Sequence, residues 1–93
     1  MKPYVTYSSN NYGQFIEHIW ILHSKDKNFF LGQDVKFCRR VLCMEPKEVI
    51  DAIGCSDLDK KRTQEKLASF ILKILNISIE ELDKLEEWEL CSQ

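Results

Sequence analysis

The sequence predicts a mainly α fold, a compact bundle of four to five helices with an extended N-terminal arm. Residues 57–75 have helical periodicity, and helix-capping residues stand ahead of two further apolar segments. Residues 2–7 are rich in β-branched and tyrosine residues, which favour an extended backbone. A length of 93 residues fits one domain, so we expect residues 1–93 to form a single helical domain.

The longest helical pattern covers residues 57–75. Its apolar residues have the i, i+3, i+4, i+7, i+8 spacing of one helix face and are Leu67, Phe70, Ile71, Ile74 and Leu75. We expect Ser56 or Asp57 to cap the first turn, because a short side-chain oxygen accepts a free backbone N–H there. Asn76 is expected to end the helix. The core should include Ile19, Trp20, Phe70, Ile71 and Ile74.

Residues 12–23 fit two structures. A helical stripe joins Tyr12, Phe15, Ile16, Ile19, Trp20 and His23. However, Gly13 is unfavourable inside a helix, and residues 19–22 are apolar on every side. The same run, followed by a polar turn and by the apolar residues 29–31, fits a short β-hairpin within the first 31 residues. We predict the helix and keep the hairpin as the alternative, with residues 29–31 either in the core or exposed as an anchor for a partner.

Three shorter helices complete the predicted bundle. The first runs from Asp34 to Leu42, and its inward residues are predicted to be Val35, Cys38, Val41 and Leu42. The second begins at Pro46, where the missing N–H costs nothing, and ends at Gly54. The third begins at a capping box formed by Ser78 and Glu81. Its inward residues are predicted to be Leu82, Leu85 and Trp88.

The sequence motifs of several enzyme classes are absent from this chain. The three glycines stand apart, which argues against a phosphate-binding or dinucleotide-binding loop, and no nucleophile elbow or paired-histidine motif is present. We therefore predict that the protein is not an enzyme and needs no cofactor. The four cysteines, Cys38, Cys43, Cys55 and Cys91, match no zinc or redox spacing. They are expected to be reduced thiols without a metal.

The net charge and the hydropathy indicate a soluble cytoplasmic protein. A net charge of −2 gives no general attraction to nucleic acid. No apolar run is long enough to span a bilayer, and the first residues lack the order of regions found in a signal peptide. We expect no membrane partner.

Basic residues concentrate in two middle segments, whereas the C-terminal segment is acidic. The candidate binding residues are Lys36, Arg39, Arg40, Lys60, Lys61 and Arg62. Separate faces of opposite charge suit electrostatic steering to a charged partner or self-association as a homodimer. We predict a small non-enzymatic regulatory or adaptor protein that acts by protein–protein interaction. Its partner is a protein with an acidic surface, and its role would be that of an inhibitor or modulator of a larger complex.

The alternative function is that of a helix-turn-helix-type DNA-binding transcriptional regulator. Two predicted helices flank residues 54–56 at suitable lengths, and Lys60, Lys61 and Arg62 would meet phosphates. Asp57 and Asp59 stand at the tip that would enter the groove, and their carboxylates would repel the phosphates. Nucleic acid is therefore the less favoured partner.

Overall fold

The first third of the chain forms a three-stranded antiparallel sheet, and helices follow it. The computed structural model describes residues 2–90, with only the backbone of Asn10 and Tyr12. The strands are β1 (Tyr4–Tyr12), β2 (Phe15–Ser24) and β3 (Lys27–Gln33), in the spatial order β1-β2-β3. The helical segments are α1 (Asp34–Phe37), a π-helical turn (Cys38–Leu42), α2 (Pro46–Ile53), α3 (Lys61–Leu75) and α4 (Ile79–Lys84). The architecture is α+β, so the predicted mainly α bundle is wrong.

The helix predicted for residues 12–23 is also wrong, because this segment forms most of β2. Two-residue turns produce the sheet. Gly13, with φ of 63°, supplies the left-handed backbone that the β1–β2 turn needs, and Lys25, with φ of 53°, does so in the β2–β3 turn. β-branched and aromatic side chains at residues 19–21 pack well on both faces of a pleated strand. The alternative hairpin is therefore the structure that forms.

The two faces of the sheet have different surroundings. Residues paired across strands share a face, and Leu22 pairs with Phe29, both of them fully buried under the helices. One position along, Ile21 pairs with Phe30, whose side chain is 62% exposed. The inner face therefore forms the core with the helices, and the outer face remains open at Phe30.

The core joins this inner face to the helical segments. Its members include Val5, Trp20, Leu22, Phe29 and Leu31 from the sheet, and Phe37, Leu42, Val49, Leu67, Ile71 and Leu82 from the helical segments. Ile19, Trp20 and Ile71 are buried as predicted, and Phe70 is half-buried. Ile74 is 39% exposed, so its predicted place in the core is wrong. The buried face of α3 instead includes Thr63 and Ala68, together with Leu67 and Leu72.

Most helix ends lie at the capping residues that the sequence predicts. Pro46 begins α2, and Gly54 ends it with φ of 71°. Asn76 ends α3 in the left-handed conformation, and Ser78 Oγ accepts the Glu81 N–H at 3.1 Å at the start of α4. The cap predicted at Ser56 or Asp57 is wrong, because α3 begins at Lys61.

Three further side chains that were predicted to point inward are exposed. Val35 and Val41 are 37% and 36% exposed, because the segment from α1 to the π-helical turn buries Phe37 together with Cys38 and Leu42, and the last two are buried as predicted. Trp88 is 72% exposed, because α4 ends at Lys84 and the helical spacing that would carry Trp88 inward stops there.

The C-terminal segment is attached to the β2–β3 turn by hydrogen bonds. Lys27 Nζ donates to the carbonyl oxygens of Asp83 at 2.8 Å and Leu85 at 2.7 Å, which are free because α4 ends there. Lys25 adds an exposed ion pair to Asp83 at 2.9 Å. Among residues 2–90 no helix combines the length and apolar character needed to cross a bilayer.

Candidate functional site

The six predicted binding residues do not form one surface. Arg39 Nε donates to both carboxylate oxygens of Glu45, at 2.8 and 3.1 Å, so its charge is already paired. Lys61 Nζ lies over the ring of Tyr4, 2.9 Å from the centroid. Both predicted residues therefore serve contacts within the chain.

Lys36 and Arg40 belong to a groove at the outer side of the sheet. We call it the sheet groove and define it by Glu17, Ile19, Phe30, Lys36, Arg40 and Val41, which line a cavity of about 380 Å³. Ile19 is 9% exposed, whereas Phe30 is 62% and Val41 36% exposed. The groove thus combines a buried aliphatic side chain, exposed apolar neighbours and two cations.

The end of β3 places these side chains together. A register shift opposite Trp20 and Ile21 adds one residue to β3, and Gly32 beyond it has φ of 122°. This left-handed backbone favours glycine, which turns the strand before α1 begins at Asp34. The cations of the helical segment are thereby brought beside β2 and β3.

The sheet groove has an uncompensated positive charge. Within residues 2–90 the ion pairs are Lys25–Asp83 and Arg39–Glu45, so neither Lys36 nor Arg40 takes part in one. Glu17 is the single carboxylate among the lining residues. An anionic group would therefore find two cationic side chains beside an apolar surface, an arrangement that favours a ligand with both acidic and apolar groups.

The segment 60–62 lies apart from the sheet groove. Lys61 contacts Tyr4, which pairs with His23, whereas Ile19 is four residues away along β2, roughly 13 Å at the rise of a strand. Arg62 lines a different groove of about 460 Å³ between α2 and α3, with Lys66 and Phe70. Lys60 is exposed at the start of α3.

Both histidines are held by neighbouring strands. His18 stacks on Tyr7 with the ring centroids 4.6 Å apart, and His23 stacks on Tyr4 at 4.7 Å. His23 Nδ1 donates to Asn28 Oδ1 at 2.8 Å, which leaves Nε2 to accept from the Thr6 hydroxyl at 2.6 Å. Since both ring nitrogens of His23 have partners, this side chain serves the sheet. Among the residues described, no group of three or more His, Cys, Asp or Glu side chains is arranged to hold a metal ion.

The cysteines differ in their surroundings. Cys38 is buried, Cys43 exposed and Cys55 half-buried, and all three are free thiols, while Cys91 lies outside the described residues. Burial raises the pKa of the Cys38 thiol to about 12, with smaller contributions from the negative charges of Asp34 and Glu45. A thiol held in its neutral form is a poor nucleophile, so Cys38 is a core residue rather than a reactive one.

The raised pKa of Cys38 predicts a loss of stability in alkali. In the unfolded chain this thiol loses its proton near its ordinary pKa of 9.0, whereas in the folded chain it keeps the proton up to about pH 12. Between these values the unfolded state binds fewer protons, so the free energy of unfolding decreases as pH rises. For this one thiol the decrease approaches about 1.4 kcal/mol per pH unit.

Denaturant unfolding at a series of pH values from neutral to alkaline measures this decrease. We expect Cys38→Ala to reduce the decrease in the free energy of unfolding at alkaline pH. Cys43→Ala, at the exposed thiol, should keep the pH dependence of the wild type. Parallel curves for wild type and Cys38→Ala would contradict the assignment of this proton to Cys38.

Sequence reasoning did not place Ile19, Phe30 and Val41 beside Lys36 and Arg40, as the structure does. Phe30 was noted as either core or anchor, and the structure shows it exposed. Successive side chains of a strand point to opposite faces, so a strand at this segment would have predicted that only one of Phe29 and Phe30 is exposed. Ile19 is buried as predicted, and it also lines the sheet groove.

Comparisons with known proteins identify no relative of this chain. No protein-family model matches the sequence, and no curated protein or solved structure shows a significant match to it. The functional interpretation therefore depends on the geometry and charge described above.

Proposed function

We propose that this chain is a small non-enzymatic regulatory or adaptor protein that binds an acidic segment of a partner protein in the sheet groove. The observation that carries the proposal is the position of Phe30, 62% exposed, among the groove residues that include the unpaired cations Lys36 and Arg40. Exposed aromatic residues beside arginine are typical of the centres of protein interfaces.

The chemistry of the groove indicates the kind of segment that fits. A partner side chain of leucine or phenylalanine type would cover Phe30 and Val41, and neighbouring carboxylates would meet Lys36 and Arg40. Covering an acidic segment of a larger complex would block the other contacts of that segment, which is the action of an inhibitor or modulator. The free thiols of Cys38, Cys43 and Cys55 fit action in the cytoplasm.

DNA binding through α2 and α3 is the competing proposal. It gains support from Lys60, Arg62 and Lys66, all exposed on the first half of α3 or just before it. It loses support because Lys61 is held against Tyr4 and because Asp57 and Asp59, both exposed, precede the helix. We therefore favour an acidic protein segment over nucleic acid.

A displayed library of random peptides, selected on the immobilised full chain, tests the proposal. We expect the enriched peptides to combine Asp or Glu with Leu, Phe or Tyr. Their affinity should decrease at least about tenfold for the double variant Lys36→Glu/Arg40→Glu, because both cations are replaced by like charges. The matched control is Lys47→Glu/Lys84→Glu, which makes the same change of charge at exposed residues of α2 and α4 and should keep the affinity.

The same variants are titrated with random duplex DNA across salt concentrations. Tight DNA binding whose log affinity decreases steeply with log salt would favour the competing proposal. Equal peptide affinities for wild type and a folded Lys36→Glu/Arg40→Glu variant would rule out the sheet groove as the binding site.

A further inference from the structure

The two edges of the sheet differ in how they are protected. β3 carries Lys27, and the carboxylate of Glu87 accepts the backbone N–H of Asn28 at 3.4 Å. The extra residue opposite Trp20 and Ile21 further distorts this edge. A charged residue, a covering segment and a bulge are the devices by which proteins prevent strand pairing at an edge.

β1 differs, because the second half of its edge has none of these devices. Its nine residues, YVTYSSNNY, include no charged residue and no proline. Within residues 2–90, β1 pairs with β2 alone and so has a neighbouring strand on one side only. Lys61 covers Tyr4 at the start of the strand, whereas Ser8, Ser9 and Asn11 are exposed farther along. Val5 is 1% exposed, so the beginning of this edge is covered, whereas the backbone groups of residues 8–11 that point away from β2 are available to another strand.

We propose that β1 is a self-association edge, at which a second copy of this chain pairs antiparallel with the first. The occupant is a second copy because an uncharged strand meets no like-charge repulsion when it pairs with itself. A two-fold axis at Ser9 would pair residues 7–11 of both copies, with Ser9 opposite Ser9, and join two three-stranded sheets into one of six strands.

The exposed residues at the tip of the β1–β2 hairpin support the same occupant. Phe15 is 75% and Ile16 64% exposed, and they pair with the last two residues of β1. In an antiparallel arrangement, the end of β1 in one copy lies beside the beginning of β1 in the other. The hairpin tip would then lie near the Val5 end of the second copy, where apolar side chains lose exposure to water. This surface is separate from the sheet groove, so the dimer does not depend on the proposed partner.

Sedimentation equilibrium of the full chain in reducing buffer, across three decades of concentration, tests the proposal. We expect a concentration-dependent dimer in the wild type. Ser8→Lys places like charges on adjacent strands and should raise the dimer dissociation constant by about fivefold or more. Ser56→Lys, at an exposed residue between α2 and α3, makes the same chemical change away from the edge and should leave the constant unchanged.

Hydrogen exchange of the wild type gives a second measurement that needs no variant. Protection of the β1 amides should increase with protein concentration, while the amides of α3 should exchange at the same rate throughout. A monomer at every concentration would overturn the proposal. A dimer formed through another surface would also overturn it. In that case Ser8→Lys and Ser56→Lys would change the dimer dissociation constant equally, and the protection of the β1 amides would not depend on protein concentration.

Discussion

Phe29→Ala is expected to lower the free energy of unfolding by about 3–5 kcal/mol, the largest effect that we predict for a single substitution. Phe29 is fully buried and pairs with Leu22 on the inner face of the sheet, where both belong to the core. Removing the ring would leave a cavity between the sheet and the helices that the close-packed neighbours fill only in part.

Phe30→Ala is the matched control, because it makes the same chemical change one residue along the strand. Phe30 is 62% exposed on the outer face, so we expect its removal to change stability by less than about 0.5 kcal/mol. Urea denaturation of both variants decides the comparison. Similar losses of stability in the two variants would contradict the placement of Phe29 on the buried face and Phe30 on the exposed face of β3. Phe30→Ala should also weaken the peptides selected on the sheet groove, since the ring is part of that surface.

Ile71→Ala is expected to cost about 2–5 kcal/mol in the free energy of unfolding. Ile71 is fully buried on the face of α3 that also carries Leu67 and Ala68. Ile74, one turn farther, is 39% exposed, so Ile74→Ala should cost less than about 1 kcal/mol. Both substitutions leave alanine in a helix and change helix propensity alike, which isolates the effect of burial.

Thermal and urea denaturation should show a larger loss of stability for Ile71→Ala than for Ile74→Ala. Equal costs would place Ile74 in the core, as the apolar spacing alone suggested. The pair therefore tests which face of α3 packs against the rest of the fold.

The charges of the candidate site could be predicted from sequence only in part. Lys36 and Arg40 were predicted as binding residues, and the structure places both in the sheet groove. Arg39 was predicted with them, but its guanidinium pairs with Glu45, six residues away. A list of basic residues in a sequence does not show which of them are paired within the chain, because pairing depends on where the backbone turns.

The sequence by itself determined the local features of the helical part. Pro46, Gly54, Asn76 and Ser78 lie at helix ends where they were expected. Each acts through its own backbone or through residues within one turn, by a missing N–H, a left-handed conformation or a short side-chain acceptor. Such effects need no distant partner, so the residue type alone is sufficient to predict them.

Only the tertiary structure decided that residues 15–24 form a strand. Its apolar residues fit a helical stripe and a strand almost equally well, and a strand becomes stable when neighbouring strands supply hydrogen bonds on both sides. The same is true of the face of α3, where packing against the rest of the fold buried Thr63 and Ala68 and left Ile74 exposed. Strand pairing and packing depend on residues far apart in the sequence, so periodicity within one segment did not determine them.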